Sequence, residues 1–70
     1  MDIRELFGTN VRRIRKRGGL SQAGLALKLG VDRAHVSSME RGLQNVTLLT
    51  LWQVSEALDV EPAELLARDA

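Results

Sequence analysis

The chain has no cysteine, no tyrosine, one histidine and one proline, and each shortage removes a class of protein. Without cysteine there is no disulfide framework. With His35 as the sole histidine there is no set of nitrogen and sulfur ligands for a tetrahedral zinc site, so no metal or other cofactor is expected. Uninterrupted apolar runs are missing too: the opening stretch MDIRELFGTNVRR carries charges throughout, which argues against a secretory signal or a membrane span and for a cytoplasmic protein. Phe7 and Trp52 are the only aromatics, although 44% of the residues are apolar. The core must therefore be built from leucine, valine and alanine, which suits helices better than strands. Seventy residues suffice for one domain, 1–70, with one core of marginal stability.

Net charge is only +1, but its distribution is lopsided. Residues 1–41 hold nine Lys or Arg against four acids, a balance of +5, whereas 42–70 hold Arg68 against five acids, a balance of −4. One half attracts polyanions and the other repels them, unless the charges are no more than a solvated surface.

Asp2 and Glu5 have the spacing of a capping box, and Ile3, Phe7, Val11 and Ile14 recur at helical spacing until Gly18-Gly19, predicting a helix over about 3–17. Ser21 caps a second, short helix over about 22–29, with Leu25 and Leu29 on its inner face and Gly30 making the sharp exit. Asp32 caps a third, running to about Arg41 with Val36 and Met39 inward, and Gly42 ends it. Thr47 caps a fourth, with Leu51, Val54, Ser55 and Leu58 as its buried stripe, and Pro62 begins a fifth that continues through Ala63 to Ala67.

The segment QAGLALKLGVDRAHVSSMER, 22–41, meets the steric demands of a helix-turn-helix. Ala26 is small where the helices cross, Gly30 turns, and Leu25, Leu29, Val31, Val36 and Met39 are apolar where the wedge must be filled. Residues 3–66 resemble the phage repressor and Cro family, also called Xre-type regulators, through GLSQAGLA at 19–26, the LGV turn, VSSMERG at 36–42 and LWQVSEALDV at 51–60. The resemblance implies an all-α, compact five-helix lambda-repressor-like domain, with the helix-turn-helix at helices 2 and 3, that binds double-stranded DNA and regulates transcription.

By that resemblance the third helix enters the major groove, with Arg33, Ala34, Ser37 and Ser38 reading bases. Arg33 is able to donate two hydrogen bonds to guanine O6 and N7, and the Ala34 methyl to touch a thymine methyl. A first-turn arginine facing only solvent is the plainer reading of Arg33, and His35 touches phosphate or points at water, with base reading the lesser alternative. Ser21 and Gln22 would hold phosphate at the start of helix two, where free N–H groups and the helix dipole favour an anion. Arg41, Asn45 and the run Arg12 to Arg17 are further phosphate candidates. Gln22 would also hydrogen-bond the neighbouring recognition side chain. Arg15 and Glu40 match a semi-buried ion pair and are excluded from the DNA site.

Three residues depart from the family pattern. Gly24 weakens helix two by about 1 kcal/mol relative to alanine. Leu27 and Leu49 fall where polar residues are usual, as isolated exposed leucines or as a contact surface. Leu48, Leu49 and Trp52 form an apolar ridge beside the core stripe of helix four, and with Leu65 they make a candidate homodimer interface; otherwise Trp52 merely laps over the edge of the core. Ser37 and Ser38 lie near His35, but no orienting acid or oxyanion site accompanies them, so an enzyme is not expected. A membrane or small-molecule partner is not expected either. A Cro-like phage repressor or a restriction-modification controller, dimeric on a palindromic operator, fits the sequence; an antitoxin that also binds a toxin is the alternative.

Overall fold

Asp2 opens the first helix through the foreseen capping box. In the computed structural model, which describes residues 1–68, its carboxylate accepts the Arg4 backbone N–H at 2.7 Å, and Glu5 Oε1 accepts the Asp2 N–H at 3.2 Å. Hydrogen bonds from the Arg4 side chain, then from its backbone, hold the Asp2 carboxyl down at about 2 instead of 3.8. The cap's ionic contribution is therefore complete above pH 3.8 and is lost as the pH falls through about 2. Helix α1 spans Ile3–Arg17 and α2 Gln22–Leu29, with Ser21 Oγ accepting the Gly24 N–H at 2.9 Å. Gly30 takes φ +72, the left-handed conformation that turns the chain into α3, Arg33–Glu40. Thr47 Oγ1 accepts the Thr50 N–H at 3.1 Å to start α4, Leu48–Leu58.

Two expectations need correction here. Asp32 has the backbone geometry of an N-cap, but its side chain makes no cap hydrogen bond. The fifth element, Pro62–Leu66, is a single stretch of 3-10 helix, so the described residues hold four α-helices. Five residues give little more than one turn, the length at which 3-10 geometry is common, and Asn10 closes its end. The Asn10 Nδ2 donates to the carbonyls of Leu65 at 3.0 Å and Ala67 at 2.9 Å, satisfying acceptors that the end of a helix leaves without partners.

Phe7, Val11 and Ile14 from α1, Leu25 and Ala26 from α2, Val36 and Met39 from α3, Val54 from α4, and Leu65 form the core. Leu29, Leu51 and Leu58 are partly buried against it. Val31 and Ile3 depart from expectation, at 37% and 59% exposed. Val31 lies just beyond the turn, where its N–H bonds back to the Ala26 carbonyl at 3.0 Å and its side chain is left outside the wedge. Among the described residues no helix is long and apolar enough to cross a membrane.

Gly8, in the middle of α1, is buried where the end of α3 crosses. A Cβ there would collide with the backbone carbonyl oxygens of Met39 and Glu40, the latter at 2.7 Å. Gly24 differs: it lies in the first turn of α2, not at its middle, and a Cβ would meet Leu20 Cδ1 at 2.7 Å, the movable end of a side chain. Alanine gains up to about 1 kcal/mol of helix propensity at either site, but overpacking against immovable backbone costs about 1 to 3 kcal/mol. Gly8→Ala is therefore expected to lower the melting temperature by several degrees, and Gly24→Ala to leave it unchanged or raise it, when both are compared with the parent by thermal unfolding.

Candidate nucleic-acid interface

Helix α3 packs against α1 and α2, and its residues divide cleanly by angle. At about 100° per residue, Val36, Met39 and Glu40 share the buried edge, while Ala34, Ser38 and Arg41 lie opposite and Arg33 and Ser37 occupy one flank. Arg33, Ala34 and Arg41 are exposed, and Ser37, Ser38 and His35 are half-buried. Of the four expected base-reading residues, Ala34 and Ser38 thus face away from the core and Arg33 and Ser37 lie on the flank of the helix.

Beneath this face, a chain of hydrogen bonds runs from the core to the exposed end of the helix. Arg15 donates through Nε to Glu40 Oε2 at 2.6 Å and through Nη2 to Oε1 at 3.0 Å, with the two side chains only 7% and 2% exposed. Its Nη1 donates to the Leu20 carbonyl at 2.9 Å, so the same guanidinium also ties down the α1–α2 connection. Gln22 Nε2 donates to Glu40 Oε1 at 3.1 Å, and Gln22 Oε1 accepts from Arg33 Nη1 at 3.1 Å. Glu40 thereby fixes which way the Gln22 amide faces, and Gln22 steadies Arg33. One Arg33 N–H is used in this contact; its other donors are left to form the two-pronged contact that suits guanine.

Of the expected phosphate contacts, Ser21, Arg41 and Asn45 are exposed and Gln22 is half-buried at the α2 N-terminus. The Ser21 oxygen already serves as the helix cap, leaving the next free backbone N–H groups as the anion-facing donors. Lys28 Nζ donates to the Ala57 carbonyl at 3.4 Å, at the end of α4.

The candidate interface ridge is solvent-facing, with Leu48 84%, Leu49 64% and Trp52 52% exposed. Leu65 does not belong to it: that side chain is fully buried in the core, where a partner is unable to touch it. Its neighbour Leu66, 38% exposed, shares a shallow groove of about 190 Å³ with Leu48, Leu51, Phe7 and Ile3. Leu27 is an exposed leucine on α2, 85% open to solvent.

Sequence reasoning missed Asn10 and Gln44. Asn10 is 5% exposed, and its place three residues after Phe7 and four before Ile14 put it on the buried stripe in plain view. Gln44 lies between α3 and α4, outside any helix. Its Nε2 donates to Ser38 Oγ at 2.9 Å, a contact between loop and helix that no spacing rule signals.

The helix-turn-helix family model HTH_3 matches residues 11–65. The control protein C.BamHI of Bacillus amyloliquefaciens is 42% identical over 66 residues, covering 93% of this chain and 82% of that protein. Among solved structures, the restriction-modification controller protein C.AhdI from Aeromonas hydrophila is similar at a TM-score of 0.82 and 44% identity, over 87% of this chain and 92% of that one. SinR, the master regulator for biofilm formation, solved in complex with DNA, is similar at 0.79 and 40% identity, over 87% and 98%.

Removing either member of the buried ion pair strands the other charge. Glu40→Ala and Arg15→Ala are each expected to destabilise the fold by about 3 to 5 kcal/mol, measured by denaturant unfolding. A loss below about 1 kcal/mol would mean the pair behaves as an exposed one.

Proposed function

The chain belongs to the HTH_3 helix-turn-helix family, and on that premise we propose that it is a transcriptional regulator of the restriction-modification controller kind, acting on double-stranded DNA in the cytoplasm. The observation that carries the reading is the outward face of α3, where Arg33 stands beside Ala34, Ser37 and Ser38 on a helix anchored to the core through Gln22 and Glu40. C.BamHI and C.AhdI favour the controller role, and the DNA complex of SinR supports DNA as the partner. Arg33, Ala34, Ser37 and Ser38 read base edges in the major groove, while Ser21, Gln22, Arg41 and Asn45 meet phosphates.

One recognition helix reads too few base pairs to find a single genomic site, so the protein works as a symmetric dimer on a palindromic operator. The pairing surface is the ridge of Leu48, Leu49 and Trp52, with Leu66 in place of the buried Leu65. Leu48, Leu49 and Trp52 are exposed apolar side chains close together on α4, and three neighbours of this kind are unusual on a surface that faces only water.

Selection of bound duplexes from a random pool tests the DNA reading. The parent is expected to yield a palindrome with guanine at one position per half-site, and its affinity is expected to fall steeply with salt as phosphate counterions are displaced. Arg33→Ala is expected to relax preference at the guanine alone, by about 1 to 3 kcal/mol, whereas Gln22→Ala weakens binding to every sequence and loosens the guanine preference as well. An Arg33→Ala loss shared equally by operator and random DNA would move the reading end elsewhere.

Sedimentation tests the pairing surface. The parent is expected to dimerise at micromolar concentration, and a Leu49→Asp, Trp52→Ala double variant, checked for folding by circular dichroism, to remain monomeric. A folded double variant that still dimerises would exclude this ridge.

A further inference from the structure

Ser38 lies on the edge of α3 opposite the buried one, yet it is half-buried, because the chain leaving the helix folds back over it. The Leu43 N–H donates to the Ser38 carbonyl at 3.1 Å, which sets the register of the loop, and the next residue, Gln44, places Nε2 2.9 Å from Ser38 Oγ. A serine hydroxyl is a donor and an acceptor at once, so alone it discriminates poorly among base edges. Here the amide donates into the oxygen, and among the described residues no protein acceptor takes the hydroxyl hydrogen. The hydrogen is thereby free to point outward, away from the incoming amide donor.

We propose, on the reading of α3 as the base-reading helix, that Gln44 is a specificity-determining positioning residue: by donating to Ser38 Oγ it makes Ser38 a hydrogen-bond donor toward the major groove. Guanine offers O6 and N7 there and thymine offers O4, all acceptors, whereas cytosine offers only the N4 donor; adenine offers one of each. With one lone pair of Oγ still open, Ser38 favours guanine or thymine over cytosine on the strand it faces without shutting cytosine out. Arg33, a donor by nature, reads guanine at the other end of the same helix, so both ends of α3 present hydrogen to the groove.

Reversing the polarity of the Gln44 contact provides the test. In Gln44→Glu the carboxylate is able only to accept, so the Ser38 hydrogen turns inward and the oxygen lone pairs face the base. In Gln44→Ala the hydroxyl is free to present either. Bound duplexes are selected from a random pool with the full-length parent and both variants, and the base frequencies are compared position by position. At one position per half-site, outside the Arg33 guanine, the parent is expected to favour guanine or thymine. Gln44→Glu is expected to favour cytosine there, and Gln44→Ala to lose preference, each a change of about five- to tenfold, the size of one hydrogen bond, with the Arg33 guanine retained. Should added charge weaken Gln44→Glu below selection, Gln44→Ala decides alone.

Variants that keep the parent's frequencies at every position overturn the proposal, since Gln44 then has no hold on the hydroxyl's polarity. Variants that lose preference at every position together also overturn it, reducing Gln44 to a support of the loop. A parent that selects no sequence at all overturns sequence-specific DNA binding and with it the proposed function, an outcome distinct from both.

Discussion

The buried ion pair between Arg15 and Glu40 is the constraint on which the rest of the arrangement depends. Taking two charges out of water costs several kcal/mol per ion, and the cost is recovered only when nearly every donor and lone pair finds a partner. Arg15 meets that demand with two hydrogen bonds to Glu40 and one to the Leu20 carbonyl, while Glu40 takes a third donor from Gln22. The contact needs α1 and the end of α3 to approach closely, and Gly8 makes the approach possible by leaving no Cβ against the Met39 and Glu40 carbonyls. A pair of well-packed apolar residues would hold the helices together as strongly. It would not fix their register so narrowly, because dispersion contacts tolerate a slide that a two-pronged guanidinium–carboxylate contact does not.

Register matters because the pair lies at the root of a hydrogen-bonded chain that ends in solvent. Glu40 orients the Gln22 amide, and Gln22 holds Arg33, a long side chain that otherwise loses about 2 kcal/mol of rotamer entropy when it binds. Part of that loss is met in the folded protein before any partner arrives, which is preorganisation in the ordinary sense. At the other end of α3, Gln44 stands to Ser38 as Gln22 stands to Arg33. Two glutamines lying outside the helix thus determine what the helix presents.

Local chemistry made much of this legible before any coordinates. The bounds of α1 and α2 follow from Asp2, Ser21 and the glycines that stop them, because caps and left-handed turns are decided within a few residues. The ion pair was legible through resemblance alone, since nothing in the spacing of Arg15 and Glu40 says that they meet. What failed to show depended on contacts distant in sequence. The end of the Pro62–Leu66 turn is tied down by Asn10, more than fifty positions earlier. Leu65 and Leu66 look alike in sequence, and only the packing of that turn decides that the first is buried and the second is open. Gly8 reads as a weak point in a helix until the backbone it admits is known.

The contacts of α4 show how the two proposed roles, reading by α3 and pairing by α4, are separable in one small domain. It packs against α2, the 3-10 turn and α1, whereas α3 packs against α1 and α2. The two helices are thus joined mainly through shared neighbours, and each keeps an outward face of its own chemistry: charged and hydroxyl-bearing on α3, leucine and tryptophan on α4. Charge divides along the same line, with the basic excess in residues 1–41 and the acids Glu56, Asp59, Glu61 and Glu64 clustered around Trp52. A polyanion approaching the domain is drawn to the first half of the chain and repelled from the second, so under the proposed function the apolar ridge would stay free while α3 met DNA. The separation rests on α1 and α2 as the common support, which returns the burden to the crossing held by Arg15 and Glu40.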